Sequence, residues 1–198
     1  MDVALRCRCG VVTGTLVDVS PSAGNRAVCY CDDCQAFAKA IGRVDVLDAH
    51  GGSDIVQLRP AQLKLSITDD NLKCLRLSDT GMWRFHTGCC NTPVGNAMNN
   101  PKMPFVGVVI SGLVDLDEQQ KTDVFGARIA VQGRFARNVD SADTIPTAPP
   151  PAMFLRVARL IVGGFIKRAH KPSPLTNSSG QFRVVPRVLS SAERAALS

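Results

Sequence analysis

No apolar run in the sequence approaches the roughly 20 residues that a bilayer-spanning helix needs, which excludes such a helix. No secretory signal is expected either: Met1-Asp2-Val3-Ala4-Leu5-Arg6 is too short and too polar ahead of Cys7 to be one. That predicts a cytoplasmic, reducing setting, where clustered cysteines bind metal more often than they pair as disulfides. Acid is scarce toward the C-terminus. From Pro151 onward, eight Lys/Arg (Arg156, Arg159, Lys167, Arg168, Lys171, Arg183, Arg187, Arg194) stand against Glu193 alone. This segment carries +7 of a chain total of +6, so residues 1–150 sum to −1. The basic character belongs to the tail. It predicts an acidic surface as partner of the tail, and no nucleic-acid binding by the rest.

Cysteine, by contrast, is concentrated. Three of the eight fall within Cys29-Tyr30-Cys31-Asp32-Asp33-Cys34. Three thiols so close are a disulfide knot, a redox pair with a spare, or three ligands to one ion. Two further clusters favour metal: Cys7-Arg8-Cys9-Gly10 upstream and His86-Thr87-Gly88-Cys89-Cys90-Asn91 downstream. At 45% apolar and 20% charged residues, the 198-residue chain has the composition of a globular domain with an appendage.

Most of the pattern between the clusters reads as strand. Leu5, Cys7 and Cys9 alternate with Arg6 and Arg8, and a β-branched run follows a tight turn near Gly10. Pro21 to Asn25 is a loop, and Arg26-Ala27-Val28 leads as a strand into the three-cysteine cluster. A short helix follows over Gln35–Ala40, with Asp32 or Asp33 as its cap. Leu63–Thr68 and Leu72–Ser78 alternate around Asp69-Asp70-Asn71 and predict a hairpin, with Cys74 as a core thiol in the apolar phase. Gly81–His86 and Phe105–Gly112 are further strands, and 123–137 is ambiguous between strand and helix.

Residues 1–140 are therefore predicted to be one zinc-binding domain, 141–151 a proline-rich linker, and 152–198 a basic extension. The extension contains a helix over Ala152–His170, with Arg156, Arg159, Gly163, Lys167 and His170 on one face. That helix packs on the domain or on a second copy of the chain, or else lies on a membrane surface. Ser190-Ser191-Ala192-Glu193 predicts the cap of a last short helix.

Thiolates are preferred donors for zinc, which takes four ligands in a structural site and leaves one position open in a catalytic site. The cysteines divide that way. Cys7 and Cys9 with two donors from the third cluster make a closed site. Cys29, Cys31 and Cys34 make a three-thiolate site, with Asp32, Asp33 and His50 as alternatives for a fourth ligand. In the third cluster His86, Cys89 and Cys90 all remain candidates. Cys89 and Cys90 both reach one ion only if a turn separates their directions.

The three clusters in this order resemble the glutathione-dependent formaldehyde-activating enzyme family, which includes the centromere protein V type, over roughly residues 3 to 115. Gly52-Ser53-Asp54 and Arg59-Pro60-Ala61-Gln62-Leu63 resemble the segment linking the second and third clusters. The third motif aligns in two ways. Anchored on Phe85, His86 takes the place of a cysteine; anchored on Thr92-Pro93, Cys90 is the second cysteine and Thr87 stands where the first belongs.

The resemblance implies a mainly β fold of antiparallel sheets built around two zinc ions, with the helical extension appended. It implies a catalytic zinc on Cys29, Cys31 and Cys34, and a structural zinc on Cys7, Cys9 and the Cys89/Cys90 pair. The activity it implies is that of a carbon–sulfur lyase, joining a small-molecule thiol such as glutathione to an aldehyde such as formaldehyde. Two other roles fit the same residues: a zinc-stabilised binding module that uses its basic helix and forms a homo-oligomer, or a thiol-redox sensor.

Overall fold

A computed structural model describes residues 1–22, 25–140 and 144–197. Ala23 and Gly24 of the expected loop, and Ser141–Asp143 of the expected linker, lie outside them. The chain is mainly β, with two sheets, cysteine clusters and a C-terminal helix. In chain order, β1 (Val3–Arg6), β2 (Thr13–Leu16) and β3 (Asn25–Cys29) precede α1 (Asp32–Ala40), and β4 (Ser53–Leu58) and β5 (Leu63–Ser66) follow. Then come β6 (Leu72–Arg76), β7 (Trp83–Thr87), β8 (Pro93–Ala97) and β9 (Val106–Val109). The last part holds α2 (Glu118–Phe125), β10 (Ile129–Val131), α3 (Pro151–Ile166), β11 (Arg187–Val188) and α4 (Ser191–Ala195).

The small sheet runs β1-β2-β5 and is antiparallel. The large sheet runs β10-β3-β4-β9-β8-β7-β6-β11, antiparallel except for β10 and β11, each of which pairs in parallel. Period-two alternation sorts the large sheet's side chains to two faces. Val56, Leu58, Val106, Val108, Phe85 and Leu72 pack with Val3, Leu5, Leu16 and Leu63 of the small sheet in the main core. Ile55 and Val109, one residue out of phase on the same strands, pack instead with Cys34 of α1. The three-cysteine cluster therefore lies on the helix-covered face, away from the core shared by the sheets.

Two expectations are corrected here. The arms at 63–68 and 72–78 do not form a hairpin: β5 pairs with β2 in the small sheet, and β6 pairs with β7 in the large one. Alternation along an arm marks a strand with one buried face but does not choose its partner. The helix over Ala152–His170 is shorter, ending at Ile166, with Lys167 as its C-cap. The ambiguous 123–137 segment contains both alternatives, the end of α2 and all of β10. Among the described linker residues, 144–150 form neither helix nor strand.

The extension is stitched to the rest of the chain. β11 joins the edge of β6, and Leu189 is buried with Phe37, Leu75 and Leu77. Ser190 and Glu193 form the expected capping box of α4.

Candidate metal centres

The first centre is a junction of two turns. After β1 the chain folds back, with Gly10 N donating to Cys7 O and Cys7 N donating to Val12 O. Gly10 sits at φ +81°, where a side chain would be strained. Val12 N donates to Cys7 Sγ at 3.2 Å. The second turn joins β7 to β8. Thr87 N donates to Thr92 O, Asn91 N donates to Thr87 O, and Asn91 adopts the left-handed conformation at φ 53°. This turn lets the adjacent Cys89 and Cys90 serve one centre.

The Sγ atoms of Cys7, Cys9, Cys89 and Cys90 all lie within 4.8 Å of one another. Cys7 is 3.6 Å from Cys9 and 3.8 Å from Cys89, and Cys89 is 3.8 Å from Cys90. Four sulfurs about 2.3 Å from a tetrahedral ion stand about 3.8 Å apart, so the donor set fits a metal ion. The hydroxyls of Thr87 and Thr92 lie 3.4 and 3.1 Å from Cys90 Sγ. Burial alone would raise the Cys90 pKa, but hydrogen bonds from these two hydroxyls outweigh it and hold the thiol well below its ordinary value. Arg43 Nη1 donates to Thr92 Oγ1 and Cys90 O, fixing the turn from outside.

The second centre sits where β3 runs into α1. Cys29 ends the strand, and Cys31 is the residue that caps the helix, with Cys34 in its first turn. The cap is thus neither Asp32 nor Asp33. Cys31 has the extended backbone a cap requires (φ −57°, ψ 146°), and its Sγ accepts from Cys34 N at 3.3 Å. Sulfur here replaces the usual side-chain oxygen, and the helix dipole favours its thiolate form. The three Sγ atoms lie within 4.8 Å of one another, and among the described residues no carboxylate, histidine or further cysteine completes a fourfold set. The hydrogen bond with Cys31 and burial push Cys29 up to about 11, and the bond with Cys29 pushes Cys34 up to about 11. Crowded thiols hold their protons unless a cation compensates the charge.

A model for a family described as "Family of unknown function (DUF6151)" matches residues 1–184. The chain belongs to that family. No curated protein matches it. Both cysteine centres fall inside the family's span, whereas β11 and α4 lie beyond it.

Within that span the structure brings together all seven cysteines singled out in the sequence, in sets of four and three. Cys74 belongs to neither: it is buried in the main core, and burial pushes it up to about 12. His86 is not among the donors. Its ring meets Phe37 edge-on, with Nδ1 3.3 Å from Thr87 O. His50 turns Nδ1 toward the carbonyls of Arg137 and Asn138.

Arg84, on β7, has no motif to announce it and nonetheless reaches the second centre. Its side chain is 4% exposed. Nη1 lies 3.8 Å from Cys34 Sγ and 3.4 Å from Asn96 Oδ1, and Nη2 lies 3.3 Å from Asp33 Oδ2. Burial opposes its charge, but Cys34 and Asp33 keep the guanidinium protonated, above the ordinary arginine value. The one sequence signal was an arginine among the apolar residues of Trp83-Arg84-Phe85. On the outer side, Arg194 of α4 reaches Asp32 Oδ2 at 3.2 Å and Asp33 Oδ1 at 3.0 Å. Both carboxylates between the second and third cysteines are thereby turned toward arginines.

Proposed function

We propose that this chain is a cytoplasmic zinc protein in which Cys7, Cys9, Cys89 and Cys90 hold a structural ion and Cys29, Cys31 and Cys34 hold a catalytic one. The reaction we assign to the second centre is addition of a small thiol, such as glutathione, to an aldehyde, such as formaldehyde. In that reaction sulfur bonds to the carbonyl carbon, the C=O π pair moves to oxygen, and the thiol proton ends on that oxygen. The reverse reaction breaks the same carbon–sulfur bond, as a carbon–sulfur lyase does.

The observation that carries the reading is the inequality of the two donor sets. One offers four sulfurs, and the other offers three with no fourth donor among the described residues. Zinc sites with three protein ligands keep a position for water or substrate. Bound there, zinc supplies positive charge that holds an incoming thiol as thiolate or polarises an aldehyde carbonyl. The chain's own residues set the stage. Cys31 is held by the helix it caps. Arg84 balances the negative charge left when three thiolates meet one divalent ion. Ile55 and Val109 provide an apolar floor. The resemblance to the formaldehyde-activating family supports the choice of thiol and aldehyde.

The test is exchange spectroscopy of a glutathione–formaldehyde mixture at equilibrium. Zinc-loaded protein accelerates adduct exchange, and Cys31→Ser loses at least about tenfold of that acceleration while its fold is kept. Exchange at the uncatalysed rate with fully loaded protein removes the assignment.

A further inference from the structure

The helix α3 is apolar on two opposite sides. Met153, Leu160 and Gly164 are buried. That side is fixed by Arg59 Nε donating to Leu160 O at 3.3 Å and by the close approach of Gly164 to Pro104. At 100° per residue the opposite side carries Phe154, Leu155, Val162, Phe165 and Ile166, which are 64%, 53%, 58%, 51% and 79% exposed. No part of the described chain covers them. At the same spacing Arg159 borders this face, whereas Arg156 and Lys167 fall on the flank between Arg159 and the buried side. Arg156 and Arg159 also line a cleft of about 500 Å³ with Arg59, and among the described residues no acidic one lines that cleft.

We infer that α3 docks this protein on an anionic phospholipid surface, its outward apolar side chains entering the headgroup boundary and the arginine edge meeting lipid phosphates. Charge complementarity selects this occupant. An apolar strip flanked by cations is the pattern of a helix lying in a membrane interface. A second copy of the chain would place the same cationic edge against itself, and α3 contains no acid to pair with it. Lys167, Arg168 and Lys171, all exposed just beyond the helix, add to the positive field. No helix among the described residues is long and apolar enough to cross a membrane, so the helix lies on the surface. The inference is independent of the chemistry assigned to the cysteines.

The 198-residue chain, purified without chelator, is sedimented with vesicles of phosphatidylcholine alone and of phosphatidylcholine mixed with phosphatidylglycerol. The expected result is pelleting with the mixed vesicles that weakens with added salt. Arg156→Gln with Arg159→Gln lowers partitioning about thirtyfold, on the basis of about 1 kcal/mol for each basic residue at the surface. Phe165→Glu with Ile166→Glu abolishes it. Circular dichroism and metal content serve as fold controls, and Phe154→Ser gives an independent reading if the double glutamate variant does not fold. Wild type that stays in solution with mixed vesicles overturns the inference. So does pelleting unchanged by the face variants. A dimer that Phe165→Glu with Ile166→Glu turns into a monomer, in a protein that ignores vesicles, assigns the face to a second copy instead.

Discussion

Arg84 Nη1 lies 3.8 Å from Cys34 Sγ, so a buried guanidinium stands against the most buried sulfur of the three-cysteine centre. The pairing joins two elements distant in sequence, β7 and α1, beside the contact of Ile55 and Val109 with the first turn of the helix. Three thiolates around a divalent ion would carry one net negative charge, and Arg84 stands beside that charge while also meeting Asp33.

Arg84→Leu keeps much of the packing and removes that charge. Partners just outside a metal's ligands typically contribute 10- to 100-fold in affinity, so zinc held at this centre weakens by about that factor. Arg84→Lys recovers only part of it, because a point charge does not reach Cys34, Asp33 and Asn96 together. Competition against a chromophoric chelator measures both variants.

Cys9 is exposed, so Cys9→Ser removes no core packing. A surface substitution ordinarily stays within about 0.5 kcal/mol, whereas loss of a metal site reaches about 4–5 kcal/mol. At about 2–4 °C per kcal/mol for a chain of this size, the melting temperature falls by roughly 10–20 °C. The same drop follows chelation of the wild type. A fall of one or two degrees would mean that the turns at 7–12 and 87–92 hold together without a metal.

Arg26, with a fully buried side chain, makes two hydrogen bonds to Asp54 and one of 2.7 Å to Glu118. Burial would raise the Glu118 pKa, but hydrogen bonds from Arg26 and Lys121 outweigh it and lower the group to about 2. A carboxylate lowered by folding stabilises the fold above its ordinary value of 4.5, and the contribution is lost as pH falls through about 2. Because Glu118 is 57% exposed, solvent screens much of the effect. Between pH 4.5 and 2 the stability of the wild type therefore falls more steeply than that of Glu118→Gln, as thermal melts across this window will show.

Leu189 lies beyond the span that matches the family, yet it is 7% exposed and packs under α1 with Phe37, Leu75 and Leu77. Leu189→Ala costs about 2–5 kcal/mol, as truncation of a buried leucine does, and urea denaturation measures it. A cost under 0.5 kcal/mol would show that β11 and α4 are loosely applied.

The cysteine clusters were legible because thiols at close spacing have few structural explanations, and all seven meet in two groups. The turn needed to bring Cys89 and Cys90 together was legible as a requirement; its form, a left-handed Asn91 between Thr87 and Thr92, was not. Partner choice was hidden. The alternation in 63–68 and 72–78 is genuine, but pairing is decided by which sheet completes each buried face, a long-range property. Aspartate is the commoner cap, so the sequence points to Asp32 or Asp33 for α1, whereas the chain's direction into the helix places Cys31 at that position. Arg84 was invisible for a related reason: its role exists only once β7 lies beneath α1.

The most direct test of the two-centre account is zinc per chain, by elemental mass spectrometry, in wild type, Cys31→Ser and Cys9→Ser purified without added metal. The account predicts close to two zincs in the wild type. Cys31→Ser falls to one with its melting temperature little changed, and Cys9→Ser falls to one with a large loss of stability. One zinc in the wild type, unaffected by Cys31→Ser, would contradict it, leaving a structural ion alone and no metal at Cys29, Cys31 and Cys34.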